Sequence, residues 1–104
     1  MTYDTFLEQV KNDLESRFAT QLPDQYRAVK IDIRDVAKIQ GESYRGISFR
    51  NRDSPVQGNL NMNPAYAAYQ AGKSYADILQ ETEQAIMHQL DRMPQFDLAL
   101  LANL

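Results

Sequence analysis

Apolar residues recur with the period of an α-helix over the first part of the chain. Five of them stand three or four positions apart and would share one stripe of a helix: Phe6, Leu7, Val10, Leu14 and Phe18. The polar residues between them would face solvent. This pattern predicts an amphipathic helix from Tyr3 to about Ala19.

From residue 28 the period of the pattern changes from about 3.6 to about 2, which is typical of a β-strand with one face in water. Residues 29–34 read Val-Lys-Ile-Asp-Ile-Arg, a strict alternation of apolar and charged side chains. The alternation shifts phase after Asp35, where Val36 follows. Such a shift indicates either a β-bulge or the end of the strand.

A second strand follows at a short distance. Gln40-Gly41 is predicted as a turn, and the short separation favours an antiparallel hairpin. The second strand would run from Tyr44 to Arg50, with Ile47 and Phe49 on one face.

Residues 51–58 are rich in turn-forming residues, and the pattern after them predicts a third, short strand from Asn59 to Met62. Asn63 then offers a helix N-cap, and Pro64 suits the first helical position. The alanine-rich run that follows predicts a short helix, which Gly72 is expected to end in a left-handed conformation.

A long helix completes the predicted elements. Ser74 is its expected N-cap, and Pro94 is expected to end the helix, which runs from about Tyr75 to Met93. Its apolar stripe consists of Ile78, Leu79, Ala85, Ile86, Leu90 and Met93. The acidic residues of this helix, Glu83 among them, fall mostly outside the stripe.

The order of these elements predicts an α+β fold. An N-terminal helix is followed by a three-stranded antiparallel meander, and then a short and a long C-terminal helix pack on one face of the sheet. A chain of 104 residues suits a single domain, predicted over residues 1–93. Residues 94–104 form an apolar tail, which docks on the domain, contacts a protein partner or another copy, or begins a continuation missing from this chain.

Residues 67–74 read Ala-Ala-Tyr-Gln-Ala-Gly-Lys-Ser, the loosest form of the nucleotide-binding P-loop pattern. A P-loop needs a strand and a glycine-rich turn whose backbone N–H groups converge on phosphate. Here a predicted helix precedes Gly72, and N–H groups inside a helix are already bonded. We therefore interpret Gly72-Lys73-Ser74 as a corner between two helices.

Charge is unevenly distributed, although the net charge is only -3. Seven cations stand against three carboxylates between Tyr26 and Arg52. The sheet could therefore present a basic surface to nucleic acid. The cations of this candidate surface are Lys30, Arg34, Lys38, Arg45, Arg50 and Arg52. The alternative is a solvated strand face with cross-strand ion pairs.

Tyr66 and Tyr69 stand three residues apart on the predicted short helix. They either clamp the C-terminal helices to the sheet or form a recognition surface. His88, the only histidine, lies near the edge of the apolar stripe, and acid–base catalysis would require a second group in reach. The chain has no cysteine and no zinc-motif spacing, so no catalytic, metal-binding or cofactor-binding residue is predicted.

Several of these signals occur together in one known family. They are the opening Tyr3-x-x-Phe6-Leu7 helix, the basic hairpin, and Asn63-Pro64 followed by Tyr66, Tyr69, Gly72 and Ser74 before an acidic helix. From about Tyr3 to Leu90 the chain resembles the N-terminal part of an uncharacterised family of bacterial proteins, common in Gram-positive gut bacteria and longer than this chain. The resemblance implies a strand, a short tyrosine-containing helix, a Gly-Lys/Arg-Ser corner and a long helix. It supplies no activity and no catalytic residue.

Three functions remain open, and a non-enzymatic interaction module is favoured. Its predicted contact residues are Lys30, Arg34, Arg45, Arg50, Tyr66 and Tyr69, together with the apolar tail. The alternatives are a nucleic-acid-binding module that uses the basic sheet face and, third, an enzyme. No apolar run approaches the about 18 residues that span a bilayer, and no signal-peptide pattern is present, so we expect a cytoplasmic protein with no membrane contact.

Overall fold

The computed structural model describes residues 1–20, 26, 28–51 and 57–92. The elements follow in the order α1 (Tyr3–Thr20), β1 (Val29–Ile39), β2 (Glu42–Asn51), β3 (Gly58–Asn61), α2 (Asn63–Gln70) and α3 (Tyr75–Arg92). The predicted α+β fold is therefore confirmed. The predicted tail, residues 94–104, and residues 52–56 of the predicted turn lie outside the described residues. Within the described ranges, the helices are too short or too polar to cross a bilayer.

The sheet is an antiparallel meander in which β2 lies between β1 and β3. Gln40 and Gly41 connect β1 to β2, and both have positive φ angles, 54° and 83°. Two-residue turns of this kind match the right-handed twist of a hairpin. The register places Ile33 opposite Ile47, and Ile47 opposite Leu60. Apolar residues from all three strands thus share one face.

A β-bulge is present at Val36, as the phase shift indicated. Asp35 pairs with Arg45 and Ala37 pairs with Tyr44, so Val36 is an extra residue in β1. The strand continues beyond the phase shift instead of ending there. Because alternation along β2 is unbroken, Tyr44 lies on the polar face of the sheet and Arg45 lies on the apolar face.

The helices cover the apolar face of the sheet. All five residues of the predicted α1 stripe are fully buried, which confirms the stripe. They share one core with Val29, Ile31, Ile47 and Phe49 of the sheet and with Ile78, Leu79, Ile86 and Leu90 of α3. Burial of one such side chain contributes about 1.5–3 kcal/mol relative to exposure, so this layer is the main source of stability.

The predicted position of Glu83 outside the buried stripe of α3 is wrong. Glu83 is only 6% exposed, and its carboxylate pairs with the guanidinium of Arg17 on α1. This partner offsets the large cost of removing a charge from water. The neighbouring Thr82 is also buried, and its hydroxyl donates a hydrogen bond to the carbonyl of Ile78 at 2.7 Å. Apolar spacing missed both residues because their polar groups have partners inside the fold.

The cap at the start of α2 also differs from the prediction. Met62, rather than Asn63, is the N-cap, and its carbonyl accepts a hydrogen bond from the N–H of Tyr66 at 2.9 Å. The side chain of Asn61 accepts a hydrogen bond from the N–H of Asn63 at 3.0 Å. The capping oxygen comes from the last residue of β3 because that strand runs almost directly into α2.

Side chains of the helices form hydrogen bonds with backbone groups along the edges of the sheet. At the edge of β1, the N–H of Ile31 donates to the carboxylate of Glu15 on α1 at 3.3 Å. At the edge of β3, the side-chain amide of Gln89 on α3 donates to the carbonyl of Asn59 at 3.4 Å. Where β2 extends past β3, the Tyr3 hydroxyl donates to a β2 carbonyl at 2.5 Å. These contacts use groups that an added strand would need.

Candidate functional site

The polar face of the sheet, which points away from the helices, carries much of the predicted basic surface. We call it the open face, and its members with described side chains include Lys30, Asp32, Arg34, Val36, Tyr44, Gly46, Ser48, Arg50, Asn59 and Asn61. Its three cations are exposed. Asp32 lies among them, so the side chains that the structure describes on this face include three cations and one carboxylate.

Two of these cations stand directly opposite each other. Lys30 of β1 pairs with Arg50 of β2, and like charges in directly opposite positions destabilise a sheet. Within the described ranges, neither of them, nor Arg34, takes part in an ion pair. The cross-strand ion pairs of the alternative interpretation are therefore not found in this part of the chain.

The middle of the open face is built from small residues of β2. Gly46 has no side chain, and Ser48 is almost completely buried between Asp32 and Asn59, its partners on the neighbouring strands. A Cβ atom at position 46 would lie 2.2 Å from the carbonyl oxygen of Leu60. Sequence reasoning missed this feature, although a glycine inside a strand pattern is itself a sign of close backbone approach.

The structure separates Arg45 from the predicted cations of the open face. Arg45 lies at the end of the apolar face, where its guanidinium pairs with the carboxylate of Asp4 at 3.1 Å. Tyr44 lies instead on the open face and is half-buried. The side chain of Lys38, and Arg52 as a whole, lie outside the described part of the chain.

Tyr66 and Tyr69 pack against α1. Their ring centroids lie 5.2 and 5.6 Å from that of Phe6, and the Tyr66 hydroxyl donates to the backbone carbonyl of Met1 at 2.6 Å. The ring of Tyr75, at the start of α3, stands edge-on to Phe6 at 6.5 Å. The tyrosines therefore hold the two C-terminal helices to the N-terminal helix, which favours a structural role over a recognition surface.

Burial changes the acidity of two tyrosines around this cluster. It raises the pKa of Tyr3 from 10.0 to about 12. Burial is also the main cause that raises the pKa of Tyr75, and the hydrogen bond from its hydroxyl to Asp13, at 2.6 Å, adds to the increase because the carboxylate disfavours a phenolate beside it.

These shifts predict a loss of stability in alkaline solution. A raised pKa in the folded state contributes stability that is complete below the unfolded-state pKa of about 10 and is lost as the pH rises through the folded-state pKa. The melting temperature should fall steeply between about pH 10 and about pH 12. In the Tyr75→Phe variant this fall should be shallower, although the variant is less stable at neutral pH. Equal slopes in the two proteins would contradict the assignment.

The corner between α2 and α3 is a helix C-cap followed by an N-cap. The N–H of Gly72 bonds to the carbonyl of Tyr69 at 3.1 Å, and the N–H of Lys73 bonds to that of Ala68 at 3.0 Å, which together form a Schellman motif. Ser74 then accepts a hydrogen bond from the N–H of Asp77 at 3.4 Å. The backbone N–H groups here serve the helices, so the interpretation as a corner is supported over a phosphate loop.

Gly72→Ala should destabilise the domain moderately. The φ angle of Gly72 is 105°, where a side chain is strained, although a Cβ atom would meet nothing within 4 Å. The expected loss is about 1 kcal/mol of unfolding free energy, measured by urea denaturation. Unchanged stability would show that the corner tolerates another conformation.

A groove of about 330 Å³ opens where β3, α2 and α3 meet. It is lined by Leu60, Asn61, Met62, Pro64, Ala65, Ala68, Lys73, Ile78, Glu81, Thr82 and Ala85. The ammonium group of Lys73 contacts both carboxylate oxygens of Glu81, at 2.7 and 2.6 Å. No pattern in the sequence indicates this groove, because it depends on how β3, α2 and α3 pack together.

The remaining candidates carry no site among the described residues. His88 is exposed on α3, and no cluster of three metal-ligating side chains occurs in the described ranges. Tyr26 is buried, its ring centroid lies 6.2 Å from that of Phe18 in a tilted arrangement, and its hydroxyl donates a hydrogen bond to Asp91 at 2.7 Å. It therefore belongs to the core and is not available for base stacking.

Comparison with known proteins identifies a family for the chain and assigns no activity to it. A family model described as a family of unknown function (DUF5688) matches residues 3–103, which confirms the expected likeness to an uncharacterised family. No curated protein matches the chain. No solved structure matches it either.

Proposed function

We propose that this chain, which belongs to the DUF5688 family of unknown function, is a non-enzymatic binding module. Its open face contacts an acidic segment of a partner protein. Lys30, Arg34 and Arg50 supply the attraction, and the exposed side chain of Asn59 supplies hydrogen bonds at the other side of the face.

The pairing of Lys30 with Arg50 is the observation that carries this proposal. Two exposed cations in directly opposite positions repel each other and reduce the stability of the sheet. An anionic partner relieves this repulsion, so binding gains free energy that an ordinary solvated face would not offer. This arrangement of like charges does not stabilise the fold.

The edges of the sheet favour recognition by the face over addition of a strand. Partner strands commonly bind by pairing with a free sheet edge. Here Glu15 and Gln89 already use backbone groups at the edges of β1 and β3. The open face, in contrast, lies opposite the helices and its cations remain in solvent.

Single-stranded nucleic acid is the second candidate partner. Tyr44 lies on the same face as the cations, where its ring can stack on a base. An acidic protein segment is preferred because Tyr44 is the one described aromatic residue of the open face, whereas modules that bind bases commonly present several.

Fluorescence anisotropy with two labelled anions tests the proposal. An oligoglutamate peptide and an oligothymidylate of equal length are titrated at about 50 mM salt, where electrostatic binding is strong. We expect the peptide to bind, and the Lys30→Gln/Arg50→Gln variant to bind it about tenfold more weakly. The matched control, Lys11→Gln/Arg92→Gln, removes the same charge from the helices and should bind almost as well as the wild type.

The outcomes separate the two partners. Tighter binding of the oligonucleotide, weakened further by Tyr44→Leu, would favour the nucleic-acid candidate over the acidic segment. Absence of binding to both probes would contradict the use of this face. Equal weakening by the open-face variant and the helix control would show that net charge alone attracts the probes.

A further inference from the structure

The groove between β3, α2 and α3 has an apolar floor and a charged mouth. Met62 and Ile78, which are almost completely buried, lie at its floor, and small side chains of α2 and α3 line its walls: Ala65, Ala68 and Ala85. Lys73 and Glu81 line the same groove and are partly exposed. Its volume of about 330 Å³ falls at the lower end of the range for small-molecule sites.

Lys73 occupies an unusual position for a cation. In a Schellman motif the residue after the left-handed glycine commonly makes an apolar contact with the last turn of the helix. In this corner that residue is Lys73, and it lines the groove together with Ala68 of the last turn of α2. The corner thus presents an ammonium group at the mouth of an apolar groove, where an aliphatic residue would serve the cap better.

The partner of Lys73 is easily displaced. The side chain of Glu81 is 62% exposed, and ion pairs between exposed groups contribute at most about 1 kcal/mol. A ligand carboxylate can therefore take the place of Glu81 at low cost, because Glu81 regains full hydration when it swings away. The apolar body of such a ligand would cover Met62 and Ile78.

We propose that this groove binds a small aliphatic carboxylate, with its anionic group on Lys73 and its chain along the alanine walls. The site shares Asn61 with the open face but does not depend on the function proposed for that face. It gives the Gly72-Lys73-Ser74 corner a role in binding an anion through the lysine side chain, without the backbone cradle of a P-loop.

Octanoate is the probe, titrated into the isotopically labelled full chain and followed by amide chemical shifts. We expect saturable shifts confined to residues 60–68 and 73–85. Lys73→Gln should weaken binding about tenfold, and Ala68→Leu, which fills the groove, should weaken it at least as much. Lys11→Gln is the matched control, since Lys11 also pairs with a glutamate, at 3.8 Å, but on α1.

Glu81→Gln is expected to have the opposite effect on the affinity for octanoate. It removes the competing carboxylate, so octanoate should bind about threefold to tenfold more tightly, an effect that a merely structural ion pair would not produce. Octyltrimethylammonium, which has a similar chain and the opposite charge, should bind more weakly than octanoate. Unsaturable or dispersed shifts, unchanged affinity in Lys73→Gln, or tighter binding of the cationic probe would each overturn the proposal.

Discussion

Gly46→Ala is expected to destabilise the domain by about 3 kcal/mol or more, because the added methyl group has no room in the sheet. The new Cβ atom would lie 2.2 Å from the carbonyl oxygen of Leu60 and 2.8 Å from Cγ2 of Val36. The first of these is a backbone atom of the neighbouring strand, so β3 must move away from β2 to admit the methyl group. The melting temperature should fall by at least about 10 °C.

Gly41→Ala is the matched control for this prediction. It adds the same methyl group to the same sheet, at a φ angle of 83° and with nothing within 4 Å of the new atom. The expected cost is only the strain of the left-handed conformation, about 1 kcal/mol. A Gly46→Ala protein as stable as Gly41→Ala would mean that β2 and β3 do not approach as closely as described.

The buried ion pair between Arg17 and Glu83 should respond asymmetrically to mutation. Arg17→Met leaves the Glu83 carboxylate buried without a partner, because its side chain is only 8% exposed. The expected loss is about 2–3 kcal/mol of unfolding free energy, below the full range for buried pairs because a third of the Arg17 side chain is exposed. Glu83→Leu should cost less, since Arg17 can turn towards solvent.

The double variant makes this prediction specific. Arg17→Met/Glu83→Leu replaces the pair by apolar side chains of similar size and should come within about 1 kcal/mol of the wild type. Urea denaturation at an unchanged m-value measures each loss. Lys11→Met, which breaks a partly exposed pair with Glu15 at 3.8 Å, is the control and should change stability by less than about 0.5 kcal/mol. Additive losses in the double variant would show that the two residues are not coupled.

Local patterns were sufficient to predict the elements of this fold. The stripe of α1, the alternation in β1 and its shift at Val36 each depend on neighbours in the sequence, and each is confirmed. The corner at Gly72 was also predictable, because its φ angle follows from a local capping motif. These features share one property: a few adjacent residues determine them.

The wrong prediction for Glu83 involves a contact between distant parts of the chain. Glu83 is buried because Arg17, 66 residues away, supplies its partner. A glutamate is predicted to be exposed from its residue type alone, and the sequence pattern contains no information about that partner. Arg45 was grouped with the basic residues because it is near them in sequence. Its alternation with Ile47 and Phe49 already indicates the apolar face, where the structure pairs it with Asp4.

The candidate site was predictable only in part, because local patterns place some of its residues and contacts between strands and helices place the others. Lys30 and Arg34 share a face because they alternate with apolar residues in β1, but only the register places Arg50 opposite Lys30. The groove beside Lys73 depends on the packing of three elements, and no spacing in the sequence announces it.

During synthesis on the ribosome, the two edges of the sheet become protected at different times. Glu15 emerges before β1, so the first edge can be covered as soon as that strand forms. Gln89 follows Asn59 by 30 residues, which at about 5–20 residues per second corresponds to about 2–6 s of translation. During that interval a nascent chain has three strands and an unprotected edge at β3. Chains released before α3 is complete should therefore be the form most prone to aggregate and to need a chaperone.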